Sequence, residues 1–147
     1  MHHRRVLCVL LCGWCLTSAV AATASAKQLP GFRSPSGNIA CLLVSGPTLR
    51  CDIAHSNYGK TLETRCMSRA SIDWHGFELR RGAKGAVTCS GGILYNPNTQ
   101  HPSYSTLPYG KTWSRGTFTC VSRRDGVTCR NSNSHGLFIS RQSWRTW

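Results

Sequence analysis

The residues best suited to chemistry in this chain are cationic. Arg123, Arg124 and Arg130 belong to one short β-turn region, and Arg141 and Arg145 follow in the C-terminal tail. Guanidinium groups grip phosphate, sulfate and carboxylate through paired N–H donors. This set therefore predicts an anion-binding surface. Four histidines, His55, His75, His101 and His135, could move protons near neutral pH. A ribonuclease-type site needs two histidines as general acid and base and a cation beside the phosphate. His101 or His135 with Arg141 or Lys111 supplies the residue types. Nothing in their spacing fixes a geometry, so the preferred reading is histidines near turns, with His135-Gly136 entering a strand.

Other chemistries lack their residues. In residues 27–147 no histidines stand at i, i+4 and the six cysteines form no C-x-x-C knuckle, so no metal site is expected. The chain has no G-x-S-x-G elbow. Its 5 acids are dispersed, which argues against a hydrolytic triad or a carboxylate pair. No catalytic residue and no cofactor is assigned.

The arginines must be positioned by something, and the cysteines say what. Cys8, Cys12 and Cys15 lie in an apolar N-terminal run, and six more follow at Cys41, Cys51, Cys66, Cys89, Cys120 and Cys129. The N-terminus reads as an export signal. His2, His3, Arg4 and Arg5 form a basic start, residues 6–16 are apolar, and Ala24-Ser25-Ala26 suits signal peptidase. The apolar run is too short to span a bilayer, which takes about 20 residues. The expected division is a signal peptide at 1–26 and one domain at 27–147, secreted or envelope-associated, with no transmembrane segment after cleavage. Six thiols in an oxidising compartment should pair.

Cleavage removes Arg4 and Arg5, leaving 16 basic residues against 5 acids, a net charge of +11. Such a field attracts polyanions or an acidic protein. No basic run exceeds two residues, so a solvated surface is the competing reading.

Helix signals are nearly absent. Gly and Pro recur every few residues between short β-rich segments, the pattern of an all-β domain built from antiparallel hairpins, barrel-like or sandwich-like. Strands are predicted at 38–44 and 48–53 after the turn Ser34-Pro35-Ser36-Gly37. Setting Cys41 opposite Cys51 also sets Ile39 opposite Ile53 and Leu43 opposite Leu49, all on one face. A second hairpin is predicted over 117–122 and 127–130, with Cys120 opposite Cys129 and the turn centred on Arg124-Asp125. Cys66 and Cys89 then pair by elimination. Further strands are expected at 74–80, 86–89 and 136–140, and a long loop over 95–106.

Aromatic residues interleave with the cations. Trp74 and Trp113 read as core. Tyr95, Tyr104, Tyr109, Trp144 and Trp147 could stack on a ligand, with Arg115, Arg141 and Arg145 nearby in sequence. The tail from Arg141 to Trp147 could meet a partner or fold back on the sheet.

Several strings in fixed order resemble a known family. They are Phe32-Arg33-Ser34-Pro35-Ser36-Gly37-Asn38-Ile39-Ala40-Cys41, Leu49-Arg50-Cys51-Asp52-Ile53, Asp73-Trp74, Leu107-Pro108-Tyr109-Gly110, the Cys120 to Cys129 hairpin and Ser134-His135-Gly136-Leu137-Phe138-Ile139-Ser140-Arg141. The set is similar to DUF6636, a family of small exported actinobacterial proteins of unassigned activity. One departure is Ser90-Gly91-Gly92, where family members are usually more acidic. The resemblance implies a secreted or envelope domain and carries no catalytic residues to transfer. The expected function is non-catalytic binding of an anionic partner. The alternatives are a small cationic nuclease or other hydrolase, and an inhibitor or immunity-type protein. The oligomeric state is not legible.

Overall fold

Each predicted hairpin places its cysteines and aliphatic side chains on the same face, and that face is where the protein closes. The structure, a computed structural model, describes residues 30–44, 47–90, 92–94 and 104–147. The export signal at 1–26, the turn residues Ser45 and Gly46, Tyr95, His101 and most of the 95–106 loop lie outside the described residues.

The elements in chain order are β1 (Gly31–Arg33), β2 (Ile39–Val44), β3 (Thr48–Ile53), α1 (Gly59–Ala70), β4 (Trp74–Arg80), β5 (Ala86–Cys89), β6 (Ser105–Thr106), β7 (Thr112–Arg115), β8 (Phe118–Arg123), β9 (Gly126–Asn131), β10 (Gly136–Ile139) and β11 (Trp144–Thr146). They form two sheets, β5-β4-β3-β2-β1-β6 and β11-β10-β9-β8-β7. All pairings are antiparallel except β1 with β6.

The register follows from burial of alternate residues. Ile39 opposes Ile53, Cys41 opposes Cys51 and Leu43 opposes Leu49. Phe77 and Leu79 of β4 continue the apolar row beside Cys51 and Leu49. In the second sheet Cys120 opposes Cys129, and Leu137 lies beside Cys129. The two rows share one core, whose members include Phe32, Leu49, Cys51, Phe77, Phe118, Val127, Leu137 and Ile139. The architecture is thus a two-layer sandwich. Bridges join Cys41 to Cys51, Cys66 to Cys89 and Cys120 to Cys129. The two hairpin bridges meet across the layers, with the sulfurs of Cys41, Cys51 and Cys129 within 4.8 Å of one another. Both bridges are fully buried.

The helix α1 corrects the expectation of an almost helix-free chain. It buries only Leu62 and Cys66, one turn apart, so its apolar stripe is too narrow to show as periodicity. The usual start signals are missing as well. Tyr58 caps it without a side-chain hydrogen bond, and no acid stands in its first turn. It is fastened instead by the Cys66–Cys89 bridge to β5 and closed by Ser71, left-handed at φ 53°.

The C-terminal tail folds back as β11. Trp144 packs 5.2 Å from the Phe77 ring, and Trp147 lies over Gly136, where a Cβ would collide with the indole. Trp147 also exchanges backbone hydrogen bonds with Gly136, at 2.9 and 3.0 Å, and its indole N–H donates to the Ser134 carbonyl. Trp144 is therefore partly core. Trp144→Ala should cost about 2–3 kcal/mol in urea unfolding, below the full value for a buried Trp because the residue is only partly buried. A cost near zero would mean that β11 is a dispensable tail.

Candidate functional site

Five segments remote in sequence meet at one end of the sandwich, and hydrogen bonds hold most of them in place. In the turn before β2, the Ser34 N–H donates to the Ile39 carbonyl at 2.8 Å, and the Ile39 N–H donates back to Ser34 Oγ at 3.1 Å. Gly37 takes φ 70°, the left-handed conformation glycine allows. Asn38 leaves this turn and clasps the segment after β3. Its Nδ2 donates to the His55 carbonyl at 3.0 Å, and its Oδ1 accepts the His55 N–H at 2.9 Å.

Arg141 is carried by the turn between β10 and β11. Ser140 Oγ accepts from the N–H groups of Gln142 and Ser143 and donates to the Ser143 carbonyl. The Arg141 carbonyl accepts from Asn57 N–H, and the Ser140 carbonyl accepts from the Tyr58 hydroxyl, each at 2.9 Å. Burial pushes the Tyr58 phenol up, against a hydrogen bond with Ser56, so the phenol stays protonated and keeps donating. Tyr109 stands on the turn of Leu107-Pro108-Tyr109-Gly110. That turn is stitched to β8 by Gly110 N–H to the Ser122 carbonyl at 2.7 Å. Arg124 lies over the Tyr109 ring at 5.4 Å, within cation–π range.

These turns enclose an open groove of about 360 Å³. Arg123, Arg124 and Arg141 line it together with Asn38, His55, Tyr109 and one carboxylate, Asp125. Among the described residues the ion pairs are Arg50–Asp52 and Arg80–Glu78, so none of the three arginines is neutralised by a close carboxylate. A second cleft of about 350 Å³ adjoins the groove and shares His55 and Arg141 with it. Its other walls include Lys60, Glu63, Trp74 and His75.

The structure divides the five arginines singled out by sequence. Arg123, Arg124 and Arg141 come together. Arg130 and Arg145 do not join them. They flank the Trp147 ring at 5.4 and 5.1 Å, toward the other end of β9 and β10. The reason is the strand itself: Arg130 opposes Gly136, whereas the turn end of β9 opposes Ile139. His135 and Lys111 do not line either cleft. His135 sits in the β9–β10 turn, where its N–H and carbonyl both bond Asn131. It is thus separated by β10 from Arg141. The histidines that do reach the arginine end are His55 and His75, with Lys60. Sequence spacing could not show this, since each depends on a different strand pairing. The strings Ser34 to Asn38 and Leu107 to Gly110, read in the sequence only for the family resemblance, both contribute residues to the groove.

Among the described residues, the one group with metal-ligand spacing is Cys41, Cys51 and Cys129, and all three are bridged. Bridged sulfur offers no thiolate to a metal.

A two-sheet, disulfide-bonded β domain with an arginine-lined groove at one end is the class defined by this geometry. The chain belongs to DUF6636, a family of unknown function, which it matches over residues 9–145. No curated protein and no solved structure matches it.

Proposed function

We propose that this protein is an extracytoplasmic binding domain that holds an anionic partner in the Arg123, Arg124 and Arg141 groove, without catalysis. The observation that carries the reading is the convergence on one concave site of three guanidiniums that form no ion pair among the described residues. Guanidinium without a protein carboxylate is available for phosphate, sulfate or an external carboxylate. Asn38 and Tyr109 add neutral polar contacts. Three disulfides suit an oxidising compartment. Among the described residues no helix is long and apolar enough to cross a membrane. The basic net charge adds long-range attraction.

The test is binding to heparin and to RNA at about 50 mM salt, where such contacts are strongest. If four to six phosphates are engaged, log K should fall with log salt at a slope of roughly −3 to −5. No affinity for either probe at low salt would overturn the reading. Export has its own test. The intact mass of the protein recovered from its natural host should begin at Lys27 and carry no lipid. A retained diacylglyceryl group would contradict the soluble form.

A second reading has one observation in its favour. The cleft beside the groove brings His55, His75, Lys60 and Arg141 together, the residue types of a cationic nuclease. RNA degradation that stops in both His55→Ala and His75→Ala would favour it. Intact RNA after prolonged incubation would leave the binding reading alone.

A further inference from the structure

We infer that the groove and the adjoining cleft form one continuous track for a flexible single-stranded nucleic-acid chain, crossing between them at Arg141. This rests on the reading of the groove as an anion site and extends it to the class of ligand. A compact anion such as inorganic phosphate needs one concavity. Here two concavities of similar size, about 360 and 350 Å³, share His55 and Arg141 as a common wall. Cationic groups stand along the whole path. Arg123 and Arg124 lie at one end, Arg141 in the middle and Lys60 at the other. The acids stand apart, Asp125 in the groove and Glu63 in the cleft, and neither forms an ion pair with these cations among the described residues.

A row of separated cations matches a ligand with repeated charges on a bendable backbone. A flexible chain can follow from one concavity into the next, whereas a stiff duplex meets a deformation cost on any bent path. The end of the track also carries an aromatic. Tyr109 is 39% exposed, with Arg124 against its ring. A stacking ring beside a cationic backbone track is the combination that unpaired bases use, and it is tolerant of sequence. His55 and His75 add N–H donors on the second half of the path.

Lys60 and Arg141 have exposed side chains, and the turn uses only the Arg141 backbone, so both can be changed without loss of the fold. The probes are labelled oligothymidylates of about 15 and about three nucleotides, and the long probe exceeds the site of a typical small single-strand binder. The deoxy backbone has no 2′-hydroxyl, so nuclease attack through that group does not confuse the measurement. At about 50 mM salt, Lys60→Ala should weaken the long probe five- to tenfold and flatten its salt slope by about 0.7. It should leave the short probe unchanged. Arg123→Ser with Arg124→Ser should weaken both.

If Lys60→Ala leaves the long probe unchanged while the arginine pair matters, the ligand stops at Arg141. The track is then wrong and the groove reading stands. If heparin or duplex DNA of equal charge binds more tightly than the long single strand, the occupant is another polymer and the assignment to unpaired nucleic acid falls. If the wild type binds no oligothymidylate and no heparin, the track and the groove reading fail together.

Discussion

Replacing Arg50 with Met should lower the stability of the fold by about 3–5 kcal/mol at pH 7 and by much less near pH 4. Arg50 and Asp52 face away from the main core on β3, yet they are only 8% and 3% exposed. The guanidinium Nε donates to Asp52 Oδ1 at 2.9 Å. Arg50 also reaches Ser90 Oγ and the Gly92 carbonyl, and Asp52 Oδ2 accepts the Leu94 N–H at 2.7 Å. The pair thereby ties Ser90, Gly92 and Leu94 across the outer face of the first sheet. Removing one partner leaves a buried charge without compensation, which costs more than the pair itself contributes.

The pH dependence has a definite sign. Burial pushes the Asp52 carboxyl above its ordinary value, while the Leu94 N–H and Arg50 pull it down. A raised carboxyl binds a proton more readily when folded. Its contribution to stability is complete below the unfolded value and is lost as pH rises through the folded one. Without Arg50 the folded value moves further up, so the loss extends toward neutral pH. Urea unfolding of wild type and variant at pH 4 and pH 7 measures this. An equal loss at both pH values would mean that Arg50 acts by packing alone. Adding Asp52→Leu to the variant should restore much of the deficit.

Changing Cys41 and Cys51 together to Ala should cost at least about 3 kcal/mol, the entropy of the loop they close. The real loss should reach roughly 4–5 kcal/mol, because the sulfurs also fill space in the core. Their bridge lies against Cys129 of the second sheet, and both hairpin bridges have no exposed surface. The bridge therefore fastens one hairpin and packs the two layers together. Removing Cys66 and Cys89 should cost mainly the entropic part, since it detaches a helix that buries only Leu62 besides its cysteine. Denaturant unfolding of the two double variants compares them. A larger loss from the Cys66–Cys89 pair would contradict this division.

Much of the β architecture was legible because one face of each hairpin is buried. The two-residue period of Ile39, Cys41 and Leu43 against Leu49, Cys51 and Ile53 admits one register, and the structure has it. The same holds for Cys120 against Cys129. The helix was not legible, since a disulfide replaces most of its apolar face. The short strands β1, β6 and β7 were missed for another reason. They have 3, 2 and 4 residues, too few for a pattern, and are defined by neighbours remote in sequence. The groove was half legible. Arg123, Arg124 and Arg141 were named from sequence, but Arg130 and Arg145 belong around Trp147. His55 and Lys60 were reachable only through the fold, because they are placed by the end of β3 and the start of α1.

In the proposed function the location of charge, beyond its total, makes the binding site. Two double variants remove the same charge from different places: Arg123→Ser with Arg124→Ser, and Arg130→Ser with Arg145→Ser. Salt titrations of each against a labelled single-stranded oligonucleotide compare them directly. The groove variant should bind more weakly and lose about 1.4 from the salt slope, while the Trp147 variant keeps the wild-type slope. Equal losses in both variants would contradict the account and reduce the arginines to a diffuse basic surface.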